Sequence, residues 1–150
     1  MACMPRDFLV TNPDELRGIL KSAKTIAVIG LSSSNLRPSH DVATYLAHVG
    51  YRIVPINPHE QNVLGEKCYP NLDAVPKDIV IDLVDVFRRP EEVAPHVDEA
   101  IRRGTVKCIW FQDGVVNWDA AQRAHDAGLK VVMDDCTLRR HRQLIGRPRT

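Results

Sequence analysis

Four serines, one arginine and one glycine fall within ten residues, Gly30-Leu31-Ser32-Ser33-Ser34-Asn35-Leu36-Arg37-Pro38-Ser39. The chemistry open to such a set is anion binding. Gly30 lets the backbone turn tightly beneath a charged group. Ser32, Ser33, Ser34 and Ser39 offer hydroxyls, and Arg37 can grip a phosphate through two parallel hydrogen bonds. A helix beginning near Ser39 adds free backbone amides and a partial positive charge at its start.

A second basic element, Phe87-Arg88-Arg89-Pro90, and a third segment, Asn57-Pro58, each follow an apolar run. Arg88 is the stronger partner for a phosphate, since neighbouring loop residues often point to opposite sides. The dinucleotide fingerprint G-x-G-x-x-G is not matched, because Gly30-Leu31-Ser32-Ser33-Ser34-Asn35 holds a single glycine. Nor does an acid close the second strand, where a dinucleotide site holds its ribose hydroxyls; the strand ends Pro55-Ile56-Asn57-Pro58, and Glu60 arrives late. Without that carboxylate, a phosphate on the ribose meets no repulsion. A ligand carrying an adenosine 3′-phosphate and a pyrophosphate fits the pattern, and coenzyme A has both.

The elements that must position these residues follow from the hydrophobic pattern. Asn12, Pro13 and Glu15 mark a helix start, with Leu16, Ile19 and Leu20 on its apolar face. Strands are expected at 25–29, 52–56, 79–86, 106–111 and 130–133, with a short edge strand within 65–70. Helices are expected over 39–49, 90–103, 117–127 and from about 137. Gly50, Gly104 and Gly128 stand where three of the helices end. This alternation predicts an α/β, three-layer, Rossmann-like doubly wound sheet, mainly parallel, in the order 3-2-1-4-5-6. The loops after strands one and four then face each other across the switch point. A single domain is expected over 1–150, with 1–11 a loose arm and 144–150 a basic tail.

The remaining chemistry is thin. With 150 residues, 44% hydrophobic and 26% charged, and a formal net charge of +1, the chain reads as one globular domain without the bulk charge of a nucleic-acid or membrane binder. No apolar stretch approaches spanning length. The start, Met1-Ala2-Cys3-Met4-Pro5, lacks a signal-peptide order, and a cytoplasmic location is expected. Cys3, Cys68, Cys108 and Cys136 show no zinc-like spacing, so no metal is expected. Asp82 and Asp85, three apart, should face opposite sides of their strand and so form no acid–base pair. Cys136 reads as a buried or ligand-side thiol without a positioned base. Trp110 and Trp118 read as packing residues; Phe87 fits adenine stacking or the core. The histidines and the arginines of the tail read as solvated or packed.

The chain resembles the stand-alone CoA-binding-domain proteins, which are similar to the N-terminal domain of the succinyl-CoA synthetase α subunit. The resemblance rests on Ile26-Ala27-Val28-Ile29-Gly30-Leu31-Ser32, Arg37-Pro38-Ser39, the run from Tyr51 to Pro58, Val84-Asp85-Val86-Phe87-Arg88, Ile109-Trp110-Phe111-Gln112-Asp113-Gly114 and Met133-Asp134-Asp135-Cys136. It implies a Rossmann-like fold that binds CoA or an acyl-CoA. It implies that Gly30, Ser32, Ser33, Arg37 and Ser39 lie at the phosphates, Asn57 and Pro58 by the adenosine, and Val86, Phe87 and Arg88 across the crevice. Gln112 and Gly114 would lie nearer the pantetheine arm. One departure is Asp135, where the family often has arginine. The ligase chemistry of the synthetase needs a phosphorylated histidine in a further domain and a partner subunit, neither of which fits here. The expectation is a binding or regulatory module with no catalytic residues, against a small NAD(P)-dependent oxidoreductase, a thiol-active CoA enzyme, or an interaction subunit with a vestigial crevice.

Overall fold

The computed structural model describes residues 7–146. In chain order the elements are α1 (Pro13–Ser22), β1 (Thr25–Ile29), α2 (Pro38–His48), β2 (Arg52–Ile56), β3 (Asn62–Val63), β4 (Glu66–Lys67), β5 (Leu83–Val86), α3 (Ala94–Arg103), β6 (Cys108–Phe111), α4 (Trp118–Asp126), β7 (Lys130–Val132) and α5 (Thr137–Leu144). Five of the strands form one parallel sheet in the order β2-β1-β5-β6-β7. Alternate strand residues face opposite layers, as the pleat requires. Ala27, Ile29, Val84, Val86, Ile109 and Phe111 pack with Val97 and Ala100 of α3 and Ala120, Ala121 and Ala124 of α4. Ile26, Val28, Leu83 and Trp110 pack with Leu16 and Leu20 of α1 and Val42, Ala43 and Leu46 of α2. Both faces are covered, and the result is the expected three-layer Rossmann-like fold.

The third strand of that order, the edge strand expected within 65–70, does not extend the sheet. The 62–67 segment folds on itself as the antiparallel pair β3–β4, turning through Leu64 and Gly65 at φ +55° and +74°. The sheet edge receives only one parallel bridge, Ile56 to Tyr69. Tyr69 N–H donates to Pro55 O at 3.0 Å and accepts from Asn57 N–H at 2.9 Å through its own carbonyl. Pro55 lacks the outward N–H that a bond to residue 67 would need, so the ladder stops on that side.

Two other elements are shorter than their patterns suggest. Residues 79–82 stay out of β5: the Asp82 carboxylate accepts the N–H groups of Lys24 and Thr25, each at 2.9 Å, and caps the sheet's amino edge. The helix expected over 90–103 breaks into a 3₁₀ turn at Pro90–Glu92 and α3, because Pro95 is tolerated only in a helix's first turn. The expected loose arm is also corrected. Phe8 stacks on His125, and Val10 is buried with its N–H on Val131 O at 2.8 Å. The apolar run Phe8-Leu9-Val10 earns this place by covering the sheet's far edge. Residues 1–6 and 147–150, which hold the rest of the arm and most of the basic tail, lie outside the described residues, while Leu144 and Ile145 pack on the core.

Arg103 holds the irregular 72–79 segment. Its guanidinium donates to the carbonyls of Leu72, Val75, Pro76 and Ile79 at 2.6–3.1 Å. One rigid fork thus satisfies acceptors that a strand would otherwise pair. Arg103→Met should lower unfolding free energy by about 2–4 kcal/mol, read by urea denaturation. Arg103→Lys should recover only part, since a point ammonium cannot span the set; an unchanged midpoint in both variants would show the clamp to be idle.

Candidate functional site

The loops after β1, β2, β5 and β6 enclose a crevice of about 860 Å³ at the carboxyl edge of the sheet. That size suits a cofactor-scale ligand, and the position is the switch point of the sheet. Gly30, Ser32, Arg37 and Ser39 line it from the β1 side, Asn57 from β2, Phe87 and Arg88 from β5, and Gln112 from β6. The loops are brought together by Gly30. It stands at φ +83°, its N–H donates to Ile56 O at 2.8 Å, and a Cβ there would lie 2.2 Å from the Phe87 carbonyl oxygen. The glycine is therefore required by the neighbouring loop as well as by the turn.

The serines do not all face the crevice with free hydroxyls. Ser39 is buried and its Oγ accepts the Ser32 N–H at 3.1 Å; Ser32 Oγ accepts the Ser34 N–H at 3.0 Å. These bonds shape the loop that presents the start of α2. That helix is led by Arg37, which makes no side-chain capping bond; Pro38 has no N–H and the His40 and Asp41 N–H groups bond the Arg37 carbonyl, so the Ser39 N–H is what the helix start offers. Asn57 joins the loops: its Nδ2 donates to Leu31 O at 3.0 Å and its Oδ1 accepts the His59 N–H at 2.9 Å.

Four of the expected contacts fall outside the lining. Ser33 is turned to Glu60, whose Oε2 accepts from Ser33 N at 2.9 Å and Ser33 Oγ at 2.7 Å. Pro58 is exposed on the outer side of its turn. Val86 is fully buried in the sheet, against the α3 and α4 layer. Gly114 is exposed and its N–H is held by Asp134 Oδ1 at 2.8 Å. The expectation of a cradle without carboxylates is corrected too. The turn at 57–60 folds Glu60 back onto the loop, and the bonds from Ser33 hold its carboxyl below the usual range. Glu92, one turn along, pairs with Arg88 Nη2 at 3.0 Å.

Arg88 nonetheless keeps a buried Nε with no hydrogen-bond partner among the described residues. Arg89, expected to point away, lines the crevice as well, as do His59, Glu92, Asp113, Val115 and Cys136. Cys136 already reads from the sequence as a buried or ligand-side thiol, and for His59, Glu92, Asp113 and Val115 membership of an exit loop is the only signal available. The Cys136 thiol is pushed up, mainly by burial, and so favours its protonated form. Beneath the crevice, Asp85, Gln112 and Thr137 form a closed buried group: Gln112 Nε2 donates to Asp85 Oδ1 at 2.6 Å and Thr137 Oγ1 at 2.9 Å, and Thr137 Oγ1 donates to Asp85 Oδ2 at 2.9 Å. Burial pushes the Asp85 carboxyl up to about 7.

Where Asp135 stands in place of arginine, two other arginines reach the loop. Arg139 bonds Asp113 with both nitrogens at 2.9 Å and Asp135 at 2.9 Å, and Arg140 bonds Asp135 at 2.8 Å. Among the described residues, no group of three or more His, Cys, Asp and Glu is placed to hold a metal ion, and no helix is long and apolar enough to cross a membrane.

A parallel doubly wound sheet with an arginine-lined crevice at its switch point is a Rossmann-like domain. The chain belongs to the CoA binding domain family, whose model matches residues 24–142. It is 39% identical over 122 residues to the Bacillus subtilis protein YneT, covering 81% of this chain and 88% of that one. A solved structure from Pyrococcus horikoshii is 36% identical, covers 97% of this chain and 99% of its own, and superposes with a TM-score of 0.88. The ADP-forming acetate–CoA ligase II of Archaeoglobus fulgidus is 30% identical over 94 residues, which cover 61% of this chain and 14% of the ligase.

Proposed function

We propose that the crevice binds coenzyme A or an acyl-CoA and that the protein acts as a binding or regulatory module without catalysis of its own. The observation that carries this reading is the buried, unpartnered Nε of Arg88, on the loop facing Arg37 and the uncapped start of α2. A buried guanidinium nitrogen without an acceptor is costly, and an incoming phosphate oxygen supplies the acceptor. The end of β2 supports a 3′-phosphorylated adenosine over a dinucleotide. Asn57 has its side chain engaged by Leu31 and His59, and Glu60 is engaged by Ser33. The protonated Cys136 thiol supports binding over thiol chemistry.

Isothermal titration with CoA tests the reading through the two arginines. Arg37→Ala and Arg88→Ala should each weaken binding by roughly 5- to 150-fold, as loss of a charge-assisted contact implies. Both should keep the wild-type melting behaviour within about 1 kcal/mol, because Arg37 is exposed, the Arg88–Glu92 pair is only half-buried, and losing Arg88 also removes its unpaired buried Nε. Unchanged affinity in both variants would remove the phosphates from this crevice.

A further inference from the structure

We infer that Asp85 and Thr137 hold the Gln112 side chain so that it presents its carbonyl oxygen to the crevice, where that oxygen accepts a hydrogen bond from an amide N–H of the ligand's arm. The inference rests on the CoA reading above and assigns a chemistry to one part of it.

A glutamine amide has two donor hydrogens on nitrogen and one acceptor oxygen. Both Gln112 donors point inward, one to Asp85 Oδ1 and one to Thr137 Oγ1. Gln112 lines the crevice with what remains, and its Oε1 is not among the buried side-chain atoms that lack a partner. The acceptor end therefore meets the crevice. With Asp85 ionised, reversing the amide would set Oε1 against an Asp85 oxygen with no hydrogen between them. A proton on Asp85 could instead lie between Oδ1 and a reversed Oε1, so it is the ionised carboxylate that sets the direction. The ring thus fixes amide polarity while Asp85 is ionised.

The three residues come from β5, the β6 exit and the first position of α5, and all are buried. Asp85 and Thr137 do not line the crevice, so they are positioning residues; Gln112 is the one that would touch the ligand. A fixed acceptor in a partly dry site selects for a donor and rejects a group that offers only oxygens. A CoA arm carries secondary amides and can supply that donor. The nucleotide end alone, adenosine 3′,5′-bisphosphate, has no arm.

The test compares CoA with adenosine 3′,5′-bisphosphate by titration calorimetry at about pH 8, where Asp85 is ionised, on wild type, Thr137→Val and Thr137→Ser. Valine keeps the shape and removes the hydroxyl that receives one Gln112 hydrogen. Thr137→Val should weaken CoA about tenfold and leave the bisphosphate within twofold, while Thr137→Ser restores the wild-type ratio. A merely structural role would lower both ligands together; that outcome, or an unchanged ratio in Thr137→Val, overturns the inference. If wild type binds neither ligand, the CoA reading itself falls, and this inference with it. In the ligand-free protein, the Gln112 side-chain amide protons should exchange with water at least tenfold more slowly in wild type than in Thr137→Val; equal, fast exchange would contradict the fixed orientation without reference to any ligand.

Discussion

Gly30→Ala should cost the fold about 2–5 kcal/mol and abolish ligand binding at the crevice. Two separate effects add. The backbone sits at φ +83°, where a side chain costs about 1–2 kcal/mol. The new methyl would also lie 2.2 Å from the Phe87 carbonyl oxygen, a contact that only a backbone shift can relieve, at about 1–3 kcal/mol. That shift moves the β1 loop away from the β5 loop, and with it Arg37 away from Arg88. Binding therefore falls by more than stability alone explains. Urea denaturation and a CoA titration on the same preparation check both halves. A variant that melts like wild type and binds normally would show that the two loops are not held together at Gly30.

The second large effect is a pH dependence at Asp85. Its carboxyl ordinarily releases its proton near 3.8 and in the folded protein does so near 7. Between those values the folded state binds the proton and the unfolded chain does not. Unfolding free energy therefore falls as pH rises through this window, by about 1.4 kcal/mol per unit and about 4 kcal/mol in total, and is flat above it. The advantage is complete below the unfolded value and gone above about pH 7. Asp85→Asn cannot titrate and can still accept from Gln112. The difference in stability between Asp85→Asn and wild type should therefore grow by several kcal/mol from pH 4.5 to pH 8, in favour of the asparagine. Parallel curves across that range would place the Asp85 titration elsewhere. A carboxylate this costly at neutral pH is consistent with a task, and orienting Gln112 is one.

The parallel order of β2, β1, β5, β6 and β7 was legible because each strand is a short, mostly apolar run of three to five residues between turn signals or helices. The crevice loops were legible for the same reason, as the strand ends name them. What the pattern did not carry were contacts made across space by polar side chains. The 62–67 segment turns back on itself through Leu64 and Gly65, and Pro55 offers no N–H to draw the chain after it onto the sheet edge. Glu60 looked too distant from strand two, yet a single turn returns it to Ser33. Arg103 takes four carbonyls of the 72–79 segment, among them that of Ile79 at the expected start of the strand. At the site, the serine hydroxyls that read as phosphate ligands are largely engaged in building the loop. The arginines, whose reach exceeds a loop's width, kept their place in the crevice.

The central claim is that two arginines and a helix start take the phosphates of coenzyme A. Calorimetric titration of the full chain with CoA, acetyl-CoA, NAD and NADP, in one buffer at one ionic strength, addresses it most directly. Saturable binding of CoA or acetyl-CoA, at least tenfold tighter than either nicotinamide dinucleotide and weakened by added salt, is the predicted result. Binding of NAD without binding of CoA, or no heat with any of the four, would contradict it.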